Sequence, residues 1–190
     1  MFCFLLLAIP MTPQAAQWTG NINGFIGAKM LDDNDWKPLD EHGEIGVLFD
    51  FAPTKDFPVN IAIDLLASGT NETYVDPFFG GVVDADAYTS ELAFGFRKYL
   101  MPHKAMIKPY IGAGVAIISA EIEAFRFSNS TTVSDDDNDV GPWLEGGVVW
   151  TLKHFNIGFD IRYSDAEVTL FGRDYDAGGF HTGLIAGYHW

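Results

Sequence analysis

The last twelve residues, Gly179-Phe-His-Thr-Gly-Leu-Ile-Ala-Gly-Tyr-His-Trp190, constrain the fold more tightly than any other stretch of the chain. Successive residues of a strand point to opposite sides. Phe180, Thr182, Leu184, Ala186, Tyr188 and Trp190 therefore share one face, and His181, Gly183, Ile185, Gly187 and His189 share the other. The first face suits lipid and the second a crowded polar interior. Tyr188 and Trp190 read as part of an aromatic girdle at a membrane interface. A strand of a soluble sandwich alternates in the same way, so repetition of the pattern has to decide.

Eight candidate strands repeat it: Trp18 to Met30, Glu44 to Phe51, Val59 to Ser68, Ala87 to Leu100, Pro109 to Ala124, Val140 to Leu152, Phe155 to Val168 and Gly179 to Trp190. In the third, Val59, Ile61, Ile63 and Leu65 oppose Asn60, Ala62, Asp64 and Leu66. In the seventh, Phe155, Ile157, Phe159, Ile161 and Tyr163 oppose Asn156, Gly158, Asp160, Arg162 and Ser164, with Tyr163 a further interface aromatic. The mature sequence has no apolar run of the roughly 18 residues that a membrane helix needs, so any crossing is made by strands closed into a barrel. The 20 glycines and 16 phenylalanines fit an all-β chain with close backbone packing.

The connections separate a membrane barrel from a sandwich. Those after the second, fourth and sixth strands are short, and those after the first, third, fifth and seventh are longer and polar, which is the pattern of outer-membrane barrels. Lys55, Lys104, Lys108 and Lys153 mark the short turns, whereas Asp32, Asp33, Asp35, Asp40, Glu41, Glu72, Asp76, Asp84, Asp86, Asp135, Asp136, Asp137 and Asp139 crowd the long loops. The reading is all-β, an eight-stranded antiparallel up-and-down transmembrane β-barrel over residues 17–190. One register is unresolved. If Ile111, Ala113, Val115 and Ile117 face lipid, alternation sends Ser119, Glu121 and Glu123 there as well, and either a bulge near Ile117-Ile118 or emergence of the strand above the bilayer repairs this.

Eight strands enclose an interior that side chains fill, so a general porin is excluded. The inward residues include Lys29, Glu44, Asp50, Asp64, Glu91, Arg97, Glu145, Asp160, Arg162, His181 and His189. Buried charges require partners, which makes Arg97 and Arg162 the expected hubs of an internal ion-pair network with Glu44, Asp50, Asp64, Glu91, Glu145 and Asp160. An acidic pair near either arginine is the alternative basis for a narrow cation path. A second alternative is an enzyme acting on lipid A or phospholipid, since Ser164, with Asp165 beside it, lies on the strand next to His181.

Met1 to Pro10 is a short apolar run followed by Thr12-Pro-Gln-Ala-Ala16, so residues 1–16 are expected to be a secretory signal. Cys3, the single cysteine, would leave with it. A net charge of -15 excludes nucleic acid as a partner. Asp135-Asp-Asp-Asn-Asp139 spaces oxygen ligands at alternate positions, but Val140 and Gly146 stand where a calcium loop needs Gly and Glu. Asp135, Asp137 and Asp139 remain a candidate for loose divalent-ion binding in an acidic loop, with no other metal site or cofactor expected.

With the strands placed, Pro109-Tyr-Ile-Gly-Ala-Gly-Val115, Gly158-Phe-Asp-Ile-Arg-Tyr-Ser-Asp165 and Asp176-Ala-Gly-Gly-Phe-His-Thr-Gly-Leu-Ile-Ala-Gly-Tyr188 resemble the penultimate strands and terminal strand of the small outer-membrane barrels of the OmpA/OmpX type. The resemblance implies a bacterial outer-membrane location, insertion by the barrel-assembly machinery that reads the terminal aromatic strand, and no catalytic activity. Members of that family more often end on phenylalanine than on a residue like Trp190. The expected partners are outer-membrane lipid and lipopolysaccharide around a monomer, in a structural or surface-interaction role. A soluble lipocalin-like binder is disfavoured by the rows Val59-Ile61-Ile63-Leu65 and Phe155-Ile157-Phe159-Ile161, which a soluble barrel would keep largely polar on its outside.

Overall fold

The computed structural model describes residues 18–54, 57–76, 81–101, 105–127 and 130–190. The expected signal segment, Cys3, Lys55 and Lys104 lie outside them. Ten strands and one short helix follow in order: β1 (Thr19–Met30), α1 (Asp33–Trp36), β2 (Glu41–Ala52), β3 (Asn60–Asp76), β4 (Gly81–Tyr99), β5 (Ile107–Arg126), β6 (Thr131–Leu152), β7 (Phe155–Ser164), β8 (Glu167–Leu170), β9 (Arg173–Asp176) and β10 (Gly179–His189). β1 to β7 and β10 close into a barrel in the ring order β1-β10-β7-β6-β5-β4-β3-β2, and every neighbouring pair is antiparallel. β8 and β9 form a separate hairpin. Among the described residues, no helix is long and apolar enough to cross a membrane.

The outer face is what a lipid-facing surface requires. Ile26, Ile45, Leu65, Ile111, Leu144 and Leu184 are each more than half exposed, and they belong to six different strands. A soluble monomer rarely exposes contiguous apolar surface on this scale. Trp18 stacks on Phe51 at 5.3 Å, Phe49 on Trp190 at 5.8 Å, and Tyr188 on His154 at 5.4 Å, which makes an aromatic rim at the end where both termini of the barrel lie. Tyr163 is half exposed near the opposite end of β7, toward the rim away from Tyr188 and Trp190.

The barrel is lopsided. β1, β2, β7 and β10 have 12, 12, 10 and 11 residues, but β3, β4, β5 and β6 have 17, 19, 20 and 22. The apolar outward row of β5 ends at Ile117, so Ile107–Ile117 matches the roughly 9–11 residues that a tilted strand needs to cross the hydrocarbon. The remainder of β5 stands above it. Its pairing runs without a bulge from Ile107 to Arg126 on the β6 side and from Tyr110 to Arg126 on the β4 side, which settles the register in favour of emergence: Ser119, Glu121 and Glu123 continue the outward row into water.

This height corrects several expected boundaries. β3 runs past Ser68 to Asp76, β4 starts at Gly81 and not Ala87, and β6 starts at Thr131 and not Val140. Glu72, Asp84, Asp86 and the run from Asp135 to Asp139 are therefore strand residues, not loop residues. Lys108 likewise belongs to β5, where its side chain is buried and not at a turn. The stretch expected to be one strand from Phe155 to Val168 breaks at Ser164, after which the chain turns inward into β8.

Candidate functional site

The interior has two storeys. In the lower one, every expected inward charged residue or histidine except His189 is buried inside the barrel. Arg97 donates through Nε to Glu145 Oε1 at 2.5 Å, through Nη1 to Asp50 Oδ2 at 3.1 Å, and through Nη2 to Asp64 Oδ2 at 3.1 Å. Arg162 pairs with Asp64 and with Glu145 Oε2 at 3.1 Å. The planar guanidinium fork suits such sharing, because its five donors reach several carboxylates at once. β6 and β7 place Glu145 directly opposite Arg162, so part of the cluster is set by register alone. Arg97 reaches Asp64 diagonally on the neighbouring strand, and the Arg97–Asp50, Arg97–Glu145 and Arg162–Asp64 contacts join strands that are not paired.

Aromatic and amide groups complete this cluster; the sequence places Asn60 and Asn156 on inward faces but does not single out Asn21, Asn23, Tyr99, Tyr110 or Trp143. The Arg162 guanidinium lies over the Trp143 ring at 4.5 Å and that of Arg97 over Tyr110 at 5.3 Å, geometry that favours cation–π attraction. The Tyr110 hydroxyl donates to Asp160, and that of Tyr99 to Asp50 at 2.9 Å. Asn21 and Asn60 also donate to Asp50, and Asn156 ties Asn21 to Asn23. Small residues face the large rings: a Cβ at Gly95 would sit 2.6 Å from the Trp143 indole. The signal for these positions is their inward parity, on β1 as on β3 to β7.

Above the arginines lies a second polar group. Lys29 donates to Glu91 Oε1 at 2.8 Å, to Thr89 Oγ1 at 3.0 Å and to the Ala177 carbonyl at 2.9 Å. His181 stands between two carboxylates, with Nδ1 at 2.8 Å from Glu44 and Nε2 at 3.2 Å from Glu91. Ser164 and His181 are diagonal neighbours across β7 and β10, and Ser164 Oγ lies 3.0 Å from His181 Nε2. Serine, imidazole and the Glu44 carboxylate thus stand in the order of a hydrolytic triad. Two observations weaken it as one: Ser164 Oγ also donates to Glu91 at 2.9 Å, and Ser164, His181, Glu44 and Glu91 are all buried. His42, another residue not singled out by sequence, is buried with Nδ1 near Ser68 Oγ and Nε2 near the Leu39 carbonyl. His189 is only partly buried and lies at the lower rim, against the Gly20 carbonyl and Asn21.

The upper storey is apolar. Ala85 and Ala87 of β4 and Ala116, Ile118, Ala120 and Ala124 of β5 line the inside of the raised wall, and Val168 and Leu170 of the β8–β9 hairpin pack against them. Trp36 of α1 joins this core and fixes its indole by donating to the Asp176 carbonyl at 2.6 Å.

The hairpin is docked by the acidic run. Asp135, Asp137 and Asp139 have inward parity on β6, and their Oδ2 atoms accept the backbone N–H groups of Phe171, Thr169 and Glu167 at 2.6, 2.8 and 3.3 Å. Alternate carboxylates on one strand thus satisfy alternate amides on the edge of another, across a gap the backbones do not close. The three side chains suggested for loose divalent-ion binding thus lie at successive same-face positions of a strand and accept backbone amides. Among the described residues no group of three or more His, Cys, Asp or Glu side chains is arranged to hold a metal ion. The Thr169 and Asn138 amides hold the Asp137 carboxyl below the usual carboxylate range.

Between the hairpin, α1 and the raised wall lies a cleft of about 690 Å³, walled by Trp36, Tyr74, Ile122, Phe171 and Tyr175. It opens at the end opposite the termini.

A closed eight-stranded ring, a lipid-facing apolar belt and a charged, filled lumen define a small barrel of the outer-membrane type. Solved structures agree. The chain superposes on Ail, the attachment invasion locus protein of Yersinia pestis, solved in complex with the heparin analogue sucrose octasulfate, with a TM-score of 0.61 at 11% identity over 91% of this chain and 99% of that one. It superposes on the outer membrane protein OprG of Pseudomonas aeruginosa with a TM-score of 0.61 at 16% identity, over 90% and 95% of the two chains. The N-terminal barrel domain of Pseudomonas aeruginosa OprF gives 0.50 at 12% identity, over 90% and 97%. No protein-family profile and no curated protein sequence matches the chain.

Proposed function

We propose that the protein is a non-catalytic, non-conducting barrel that anchors a rigid acidic surface in the outer membrane and presents it outside for interaction. The observation that carries this reading is the Arg97–Arg162 cluster, whose two guanidinium groups bridge Asp50, Asp64 and Glu145 across the lumen. Opening a continuous water path would separate buried opposite charges, which costs several kcal/mol per ion left without its partner. The partners that fit are outer-membrane lipid around the belt and lipopolysaccharide around the raised wall, with insertion by the barrel-assembly machinery and a monomeric state. The heparin analogue bound by Ail is a polyanion. With 26 acidic against 11 basic residues, this chain suits a partner of the opposite charge.

Reconstitution into planar bilayers tests the reading. The expected result is no steady single-channel current in potassium chloride, and a stable cation-selective conductance would support the narrow-channel alternative instead.

The enzyme reading keeps one specific support, the Ser164–His181–Glu44 arrangement. Burial of all three groups and the competing Glu91 contact favour a structural role for it. Incubation with a fluorophosphonate probe and with phospholipid and lipid A substrates is expected to give neither label nor acyl release. Labelling that disappears in Ser164→Ala would establish the hydrolase.

A further inference from the structure

The cleft at the outer mouth is a built cavity that the anchoring role does not use. Its volume of about 690 Å³ falls within the range of small-molecule sites. Its walls are aromatic and fixed. Trp36 is held by its hydrogen bond to the Asp176 carbonyl and packs edge-on to Tyr175 at 5.4 Å, while Phe171 is anchored through its amide to Asp135. Tyr74 of β3 and Ile122 and Ala124 of β5 close the opposite side. Such walls lose little freedom when a ligand enters, which favours binding.

Charge selects the ligand. Asp35 lines the cleft, and Asp32, Asp40, Asp174 and Asp176 lie on the same elements or beside them. Lys37 and Arg173 also line it; Lys37 is paired with Asp33 at 2.5 Å, and the five carboxylates around the cleft outnumber Arg173. A recess bounded by one dominant sign of charge concentrates ions of the other sign, and aromatic faces attract cations directly.

We propose that this mouth cleft binds a small organic cation with an apolar body, of the quaternary ammonium or aryl-ammonium kind. The aromatic walls take the body, and the acidic surround with the ring faces takes the charge. The site goes beyond the anchoring role and does not depend on whether the lumen conducts.

The test is amide and indole NMR of the full barrel in lipid nanodiscs, titrated with benzyltrimethylammonium, with its uncharged isostere neopentylbenzene, and with phenylmethanesulfonate. The cation is expected to shift the Trp36 indole and the amides of residues 169–176 in a saturable way, roughly 2- to 30-fold more tightly than the uncharged isostere. The sulfonate is expected to leave them unmoved. Phe171→Ala and Tyr175→Leu should weaken the cation at least several-fold while the protein keeps its heat-modifiable gel mobility and its silence in bilayers. Two variants guard against local misfolding of either one. Equal or tighter binding of the sulfonate or the isostere would overturn the assignment. So would cation shifts spread evenly over the acidic surface without saturation, or unchanged binding in both variants.

Discussion

The same four strands obey opposite rules at their two ends. Within the membrane, β3 to β6 put isoleucine, leucine and phenylalanine outward and Asp64, Arg97 and Glu145 inward. Above it, they put Glu121, Glu123, Asp136 and Asn138 outward and Ala85, Ala87, Ala120 and Ala124 inward. Backbone pairing and side-chain parity do not change; the solvent does. On β5 the exchange falls between Ile117 and Ser119, and on β6 between Val140 and Asn138. In lipid the outer face must be apolar and the polar groups must find each other inside. In water the hydrophobic effect reverses the arrangement, and the raised wall becomes half of an ordinary soluble core whose other half is the β8–β9 hairpin.

The sharpest way to break the lower half is Arg97→Met. It leaves Asp50, Asp64 and Glu145 without their shared cation, and the loss of one partner from a buried ion pair typically costs about 3–5 kcal/mol. The urea midpoint of the folded barrel in detergent should fall accordingly, with Arg97→Lys recovering only part of the loss because an ammonium cannot reproduce the fork.

Next in size is a pair of arginine substitutions on one face of β6. Leu144→Arg sits in the apolar belt and should cost about 2–4 kcal/mol if near the bilayer midplane. Ser134→Arg, at the same parity on the raised wall, should cost no more than about 0.5 kcal/mol, as for other exposed sites. Equal penalties, read from equilibrium unfolding in lipid, would abolish the distinction between the two ends.

In the upper half, Leu170→Ala removes a buried side chain between hairpin and wall. A cost of about 2–4 kcal/mol is expected for hairpin docking, with barrel heat-modifiability retained. Hydrogen exchange should show amides of residues 167–176 losing protection while those of β1 and β10 keep theirs.

The smallest effect concerns the carboxylate ladder. The Asp137 carboxyl is held low by the Thr169 and Asn138 amides, so the charged form favours the docked hairpin. Its contribution is complete above the unfolded carboxylate value of about 3.9 and fades as the pH falls through the lower docked value. The protection factor of the Thr169 amide, with the intrinsic pH dependence of exchange divided out, should therefore fall on acidification, and Asp137→Ala should lower it at neutral pH and abolish that titration.

What could be read from the sequence follows from the same division. Inward parity is legible wherever lipid forces a continuous apolar row, so the sequence alone places Arg97, Arg162, Asp64 and Glu145 inside. Which carboxylate meets which guanidinium was not, because contacts across the lumen depend on strand tilt and stagger rather than on order along the chain. Ser164 beside His181 was visible only as adjacency of strands; the diagonal register and the burial of both were not. The raised wall was invisible for a simpler reason. Once the faces exchange polarity, the lipid pattern stops, and Asp135 to Asp139, poor in β-formers, reads as a loop. Asp at every second position facing the free amides of an inward-turned strand is the feature that keeps it a strand.

Nitroxide accessibility along the outward row of β5 tests the exchange of faces most directly. Single cysteines at positions 111, 113, 115, 117, 119, 121 and 123, in a Cys3→Ser background reconstituted in lipid, are expected to relax with oxygen through 117 and with an aqueous nickel complex from 121 onward. Oxygen-dominated relaxation at 121 and 123, or an inward phase shift beginning at 119, would contradict the account.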